Sequence, residues 1–168
     1  TVAPLERKTG GALTGWLGPR FPGARIDADL DAVPALQPER DALWAVEPGS
    51  YDLCVAVGAL DTVDDLPTAL ITIRFALRSD SLFIGTVPGG DTLPLLRAAM
   101  RAADEVTGAA TPHVHPRIEP AGLSSLLTAA GFAMPEVDVD RVQVTYASFG
   151  DLDRDLRPVL KKAGFLTR

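Results

Sequence analysis

The chain has 168 residues and a mass of 17.7 kDa, long enough for one domain with a sizeable hydrophobic core. Apolar residues make up 46% and charged residues 23%, with fifteen glycines and fourteen prolines spread along the chain. This composition excludes a disordered tail, a collagen-like repeat and a coiled coil. No apolar run approaches the roughly 20 residues that span a bilayer, so we expect no membrane span. No basic and apolar leader opens the chain, and export is therefore not expected.

The formal charge is −6, from 22 acidic and 16 scattered basic residues. A surface of this sign repels a phosphate backbone, so nucleic acid is not expected as a partner. Cys54 is the only cysteine, which excludes an internal disulfide and a zinc site built on thiolates. We therefore expect a reducing compartment, the cytoplasm.

The apolar pattern alternates helical and strand-like segments, which is typical of an α/β sheet with crossover helices. The first half predicts a short helix over 11–17 and a short strand over 24–28, and over 31–50 only a broken helix and a vestigial strand. A nearly continuous apolar run over 51–57 then predicts a strand that is buried on both faces.

The second half continues the alternation and ends in a helical stripe. The predicted elements are a helix over 66–77, a buried strand over 81–87, a helix ending near Gly108, a helix over 123–130 ended by Gly131, and an alternating segment over 134–146. That last segment predicts one strand or two short strands hinged near Asp140. Pro158 is expected to kink or split the C-terminal helix.

Two stretches together point to a known family. The strand YDLCVAV is followed by GALDTVDDL and a helix, and SLFIGTVPGGDTLPLLR is followed downstream by AAGFAMPEVDVDRVQVTY. Over residues 50–157 this order resembles the class I S-adenosylmethionine (SAM)-dependent methyltransferases. Within them it is most similar to the branch that contains the biotin-pathway malonyl-carrier-protein methyltransferases and the methyltransferase-like assembly factors of respiratory complex I.

The resemblance implies an α/β fold: a Rossmann-like, mostly parallel sheet of six to seven strands, with helices on both faces and an antiparallel C-terminal hairpin. It also implies a single domain over 1–168. In that domain 51–168 is the well-matched half, and 1–50 is a degenerate or truncated cofactor half.

A SAM site is expected at the carboxyl ends of the sheet strands. The best alignment with the family puts Gly10 and Gly11 on the glycine-rich turn. Asp29 follows Gly10 by nineteen residues, close to the spacing of about 20 in the analogous dinucleotide fingerprint. A solvated aspartate in the cluster of Asp27, Asp29 and Asp31 explains that residue equally well. The residues assigned to the cofactor are Gly10, Gly11, Asp29, Leu30, Gly58, Ala59 and Leu60.

The acceptor side is assigned to Asp61, Gly89, Asp91 and Arg97. The run from Gly89 to Thr92 predicts either a loop of backbone amides that binds an anion at a helix N-terminus or a plain turn with Asp91 or Thr92 as N-cap. Arg97 faces the same mouth if a substrate carboxylate binds there. No residue is assigned as a catalytic acid or base, because methyl transfer can proceed by alignment and water exclusion alone.

No metal site is assigned. His113 and His115 form an HxH pair with only Glu119 near in sequence, so two exposed loop histidines are the favoured interpretation. Cys54 lies mid-strand among apolar residues and is interpreted as a small buried hydrophobe.

Several positions depart from the family pattern. Pro4 stands at the expected acidic strand end, and Glu6 stands at the expected first glycine, where its carboxylate repels that of SAM. The interval from Asp29 to Asp41 is about half that of the family, and the loop at Asp61 lacks an aromatic and histidine pair.

Two functions therefore stay open. One is a SAM-dependent methyltransferase acting on a small-molecule, carrier-protein or protein acceptor. The other is a catalytically inactive binding or assembly module of the complex I type, with a partner or homodimer interface on the sheet. The complex I branch also implies arginine hydroxylation, for which the sequence offers no iron ligands.

Overall fold

The computed structural model describes residues 2–6, 12–24, 47–63, 65–108 and 117–162. Several predicted features lie outside these ranges: the cofactor residues Gly10, Gly11, Asp29 and Leu30, the histidines His113 and His115, and nearly all of the strand predicted over 24–28. The chain divides into two compact units. The first comprises Thr1–Val87 and Ala121–Val137, and the second comprises Pro88–Pro120 and Asp138–Arg168.

Strands and helices alternate along most of the described chain. In chain order they are β1 (Val2–Glu6), α1 (Ala12–Leu17), β2 (Tyr51–Val57), a 3-10 helix (Leu60–Thr62), α2 (Leu66–Ala76), β3 (Leu77–Thr86), α3 (Pro94–Thr107), α4 (Pro120–Ala129) and α5 (Phe149–Lys162). The strand over 51–57 and the helices α2 and α3 were predicted within a few residues of these bounds. The second strand was predicted as buried over 81–87, but it begins at Leu77 and is largely exposed.

The three described strands form a parallel sheet in the order β1, β2, β3. Glu6 and Thr86 both lie opposite Val57, so the strands end level with one another. This confirms the α/β class with parallel strands. The larger count of six to seven strands stays a prediction.

Pro4 lies within β1, opposite Val55. Proline cannot donate to a β-ladder and is confined to edge strands. In the described sheet β1 is an outer strand, which explains how the strand forms around a residue that the sequence pattern marks as unfavourable.

The two faces of β2 belong to different apolar clusters. The larger cluster holds buried residues from β2, α2 and α4, among them Cys54, Ala56, Leu70, Ile73 and Leu127. The smaller cluster joins Leu17 of α1 to Val55. Because successive strand residues point to opposite faces, α2 and α4 cover one face of the sheet and α1 covers the other.

Helix α2 is fixed at both ends. The Asp65 carboxylate accepts the Thr68 backbone N–H at 3.0 Å and the Thr68 hydroxyl at 2.6 Å, so Asp65 is the N-cap of this helix. Near its C-terminus, Arg74 donates to the carbonyls of Leu77 and Gly131, both at 3.1 Å. One guanidinium thus joins the end of α2 to the start of β3 and the end of α4.

The second unit contains α3 and α5. Helix α3 buries none of its residues and ends at Gly108, which has φ of 68° and donates to the Asp104 carbonyl at 2.8 Å. Along α5, surface ion pairs join Arg154 to Asp151 and Arg157 to Asp153. Among the helices of the described residues, none has both the length and the apolar character needed to span a bilayer.

The strand predicted over 134–146 is not formed. Met134 has φ of 51°, and residues 135–146 belong to no strand, so the described C-terminal residues contain no hairpin. An alternating segment gains stability as a strand only by pairing with a neighbour, and the described sheet ends at β3. Helix α5 continues through Pro158 to Lys162, so the helix is not split there, and the alternative of a kink stays a prediction.

Candidate functional site

The carboxyl ends of β1 and β2 lie side by side. The two strands are parallel, and their last paired residues are Glu6 and Val57. The segments that follow them therefore start at the same edge of the sheet, where ligands of parallel sheets bind. The glycine turn predicted at Gly10 and Gly11 comes directly after β1, and the predicted adenine wall begins at Gly58, directly after β2.

Gly58 turns the chain at the end of β2. Its φ of 59° is left-handed, a conformation that side-chain-bearing residues adopt at a cost. A 3-10 turn over Leu60–Thr62 follows, with Ala59 as its N-cap. The chain thus turns within a few residues at the sheet edge.

Ala59 and Leu60 are buried members of the larger core cluster. Their side chains are used for packing, so the part of this segment that can meet a ligand is its backbone and the bare α-carbon of Gly58. Asp61 follows in the same turn and is half-buried. The structure brings these four predicted residues together in the first unit.

The predicted acceptor residues Gly89, Asp91 and Arg97 lie in the second unit. Gly89 forms a parallel bridge with Ile118, which places Glu119 against Gly90. A β-carbon at position 90 would overlap the Glu119 carboxylate. Arg97, half-buried on α3, donates to the Gly90 carbonyl. The Gly90 carbonyl thus accepts a hydrogen bond from a basic side chain, and an acidic side chain lies against the Gly90 α-carbon.

Asp91 pairs with Arg141 at 2.6 Å. Both side chains are largely exposed, and such pairs contribute little to stability. Neither Asp91 nor Thr92 caps α3. The N-cap is Leu93, in the left-handed region at φ of 53°, without a side-chain hydrogen bond. The predicted turn with Asp91 or Thr92 as N-cap is therefore wrong about the cap residue. The Asp91 carboxylate forms an ion pair with Arg141 instead.

Glu119 and Arg141 were missed by sequence reasoning. Glu119 lies 29 positions after Gly90 and Arg141 lies 50 positions after Asp91, and neither belongs to a recognisable motif with the glycine turn. No local pattern signals these contacts.

A cavity lies in the first unit, along β3. This β3 groove has a volume of about 460 Å³ and is lined by residues of β3, α2 and α4 and by the segment 131–137. Its apolar part includes Phe83 and Phe132, whose ring centroids are 5.3 Å apart. Arg74, Arg78, Asp80 and Glu136 are its charged residues.

Metal binding and thiol chemistry are not supported by the residues that the structure describes. Among the described residues no group of three or more His, Cys, Asp or Glu side chains could hold a metal ion. Burial raises the pKa of the Cys54 thiol to about 12, so it is protonated at neutral pH and is not a nucleophile there.

The chain is similar to two groups of known proteins, whereas no protein-family model matches it. It is 35% identical over 133 residues to the mitochondrial arginine-hydroxylase NDUFAF5 of Mus musculus, covering 79% of this chain and 38% of that protein. It is 31% identical over 136 residues to the malonyl-[acyl-carrier protein] O-methyltransferase of Laribacter hongkongensis, covering 81% of this chain and 40% of that protein.

A solved structure of a SAM-dependent methyltransferase from Thermotoga maritima, described as a possible histamine N-methyltransferase, aligns with a TM-score of 0.40 at 19% identity. The alignment covers 52% of this chain and 41% of that one. The present chain spans about two fifths of the length of the two curated relatives named above. Over the matched residues, the chain belongs to the class I SAM-dependent methyltransferase superfamily, in the branch shared by the NDUFAF5 proteins and the malonyl-carrier-protein methyltransferases.

Proposed function

We propose that this chain is the SAM-binding part of a methyltransferase and that its cofactor lies where β1 and β2 end. Gly10, Gly11, Asp29, Leu30, Gly58, Ala59 and Leu60 hold SAM in this proposal. Its acceptor side is formed by Asp61, Gly89, Asp91 and Arg97. The buried, free Cys54 suits a reducing compartment, and we assign the protein to the cytoplasm.

One observation carries the proposal: Glu6 and Val57 end their strands opposite each other. In this register the chain leaves β1 and β2 at one edge, and we assign the predicted glycine turn to that edge together with the Gly58 turn. A ligand bound there meets backbone from two consecutive loops, as the general geometry of parallel sheets requires. The left-handed Gly58 fits this role, because without a β-carbon the backbone lets a ligand come close.

SAM, when bound, supplies an electrophilic methyl group on a sulfonium. The chain's own residues have three tasks. The backbone after β1 and β2 binds and orients the cofactor, the buried Ala59 and Leu60 exclude water from one side, and the turn at Gly89 and Gly90 positions the acceptor. Alignment of this kind accelerates a two-reactant transfer without a dedicated acid or base.

The acceptor that we propose is a carboxylate on a carrier protein. This substrate class follows from the name of the Laribacter relative. Arg97 supports the choice, since it lies half-buried against Gly90. A guanidinium has five N–H donors, so its bond to one carbonyl is compatible with binding a carboxylate through other donors.

The alternative is a binding or assembly module that does not transfer methyl groups. Glu6 favours it: β1 ends at this residue, at the position where the family has its first glycine. A negatively charged carboxylate at this point repels the carboxylate of SAM and so disfavours binding of the cofactor.

Titration calorimetry with SAM and S-adenosylhomocysteine tests the proposal. We expect binding by the unmodified chain. Asp29→Asn should weaken it at least tenfold, and Asp31→Asn, a matched acid two residues away, should leave it within twofold. Absence of heat at millimolar ligand supports the assembly module instead. Equal losses in the two variants would refute the role of Asp29 while keeping a bound cofactor.

A further inference from the structure

The space beside the α-carbon of Gly90 holds a carboxylate. The Glu119 side chain lies there, where a β-carbon of residue 90 would stand. Gly90 is not among the glycines with positive φ, so its backbone conformation does not call for glycine. The carboxylate does, because any side chain at residue 90 would take its space. The glycine turn thus has a position that a carboxylate fits.

Glu119 is placed in this position by the backbone next to it. The preceding residue, Ile118, forms the parallel bridge with Gly89, and Glu119 itself is exposed. Among the residues that the structure describes, none forms a hydrogen bond or an ion pair with the Glu119 carboxylate. The side chain can therefore turn away into solvent without losing a described polar contact.

Arg97 reaches the same glycine with a positive charge. Its Nη1 donates to the Gly90 carbonyl, which leaves further N–H donors of the guanidinium for a ligand. Arg97 and Glu119 thus contact one residue, the first at its carbonyl oxygen and the second at its α-carbon. A ligand carboxylate bound by Arg97 comes close to the Glu119 carboxylate. Like charges within about 4–6 Å disfavour each other, so the two carboxylates compete for the position.

We propose that Glu119 determines acceptor specificity: its carboxylate occupies the position of the acceptor carboxylate and is displaced when the acceptor binds. This inference rests on the proposed function, which puts the acceptor at Gly89 and Arg97. A free dicarboxylate such as malonate displaces Glu119 with its own charges alone, whereas a carrier protein has further surface with which to bind. A repulsive element that only the larger acceptor overcomes selects the carrier-bound carboxylate over the free one.

Binding of malonate, followed by NMR titration, measures the competition without any methyl transfer. Glu119→Gln keeps the shape of the side chain and removes its charge, and it should lower the malonate dissociation constant at least tenfold. Glu105→Gln is the matched control, because it removes the same charge from an exposed position on α3. It lies about 12 Å along the helix from Arg97, beyond the screening length of about 8 Å at physiological salt, and should change the constant less than twofold.

Two further changes in the Glu119→Gln background locate the bound malonate. Gly90→Ala puts a β-carbon where the carboxylate lay and should cancel the gain in malonate affinity. Arg97→Ala removes the guanidinium donors and should cancel it as well. Circular dichroism and the urea midpoint show which variants keep the fold, and either variant that folds gives the test. A folded variant that retains the gain overturns the assignment of the position.

Methyl transfer from SAM to free malonate and to malonyl carrier protein distinguishes this inference from the proposed function. Glu119→Gln should raise kcat/KM for free malonate at least tenfold relative to that for the carrier protein. If no variant transfers a methyl group but Glu119→Gln alone gains malonate affinity, the proposed function fails and the displacement of Glu119 by a carboxylate is confirmed. If the unmodified chain methylates the carrier protein while both glutamine variants bind malonate equally, the role of Glu119 is refuted and the proposed function stands.

Discussion

The ring of Phe83 on β3 lies against that of Phe132, with centroids 5.3 Å apart and planes tilted by 36°. Both rings pack on the larger core cluster, so the pair joins the sheet to the chain after α4. Phe132→Ala should lower the free energy of unfolding by about 2–3 kcal/mol, less than for a fully buried ring because Phe132 is half-buried. Urea denaturation measures this. Phe132→Leu keeps apolar contact and should lose less than half as much; equal losses contradict a role for the ring pair.

Gly85 lies directly under the Phe83 ring. A β-carbon at position 85 would come within 2.7 Å of Phe83 Cζ, so Gly85→Ala must displace the ring. We expect a loss of about 1–3 kcal/mol in unfolding free energy. The double variant with Phe83→Leu should lose less than the sum of the single changes, because the clash is removed. The losses are compared through the denaturation midpoints of the three variants at constant slope. If the loss in the double variant equals the sum of the losses in the two single variants, this explanation is contradicted.

The N-cap at Asp65 gives α2 a pH dependence. The Thr68 hydroxyl and backbone N–H donate to the carboxylate and lower the pKa of Asp65 below its usual 3.8. The stabilisation is therefore complete above pH 3.8 and is lost as pH falls through the lower folded pKa. Asp65→Ala should cost about 1 kcal/mol at pH 7.

Asp65→Asn is the matched control, because asparagine caps helices about as well without titrating. It should keep most of the stability at pH 7 and remove the contribution of Asp65 to acid destabilisation. Thermal unfolding between pH 2.5 and 7 measures both effects. If the asparagine variant follows the same acid profile as the unmodified chain, the cap carboxylate is not the titrating group.

Much of the fold could be predicted from local pattern. Two elements could be predicted directly from the sequence: the strand over 51–57 and the helix after Asp65. A buried parallel strand and a capped amphipathic helix each have their own periodicity. The segment over 134–146 alternates apolar and polar residues too, yet it forms no strand in the structure. Period alone cannot supply the neighbour that a strand must pair with.

The candidate site was predictable only in part. Gly58 stands where a strand ends, and a glycine at such a point signals a turn. Glu119 and Arg141 contact the glycine turn after Val87 from distant segments. Glu119 is placed by the bridge of Gly89 to Ile118, and Arg141 by its ion pair with Asp91; no periodicity encodes either contact. Contacts of this kind form between segments that are distant in sequence, so the local sequence pattern does not predict them.

Cys54 provides a reporter for ligand binding that does not depend on activity. The thiol is 4% exposed within the core, and burial raises its pKa to about 12. Labelling by a thiol reagent should therefore require opening of β2. A ligand bound at one hundred times its dissociation constant stabilises the folded state by about 2.7 kcal/mol, so saturating SAM should slow labelling about a hundredfold. Rapid labelling of the folded chain contradicts the buried placement of the thiol.

Substitution of Arg97 tests acceptor positioning separately from cofactor binding. Arg97→Ala removes the donor to the Gly90 carbonyl and should cost about 1 kcal/mol of stability. If the acceptor is a carrier-bound carboxylate, methyl transfer to a malonyl carrier protein should fall at least tenfold while SAM affinity stays within twofold. Arg101→Ala removes an exposed arginine one turn along α3 and should stay near the unmodified rate. Equal losses at both arginines, or a parallel loss of SAM affinity in Arg97→Ala, would place Arg97 outside the acceptor site.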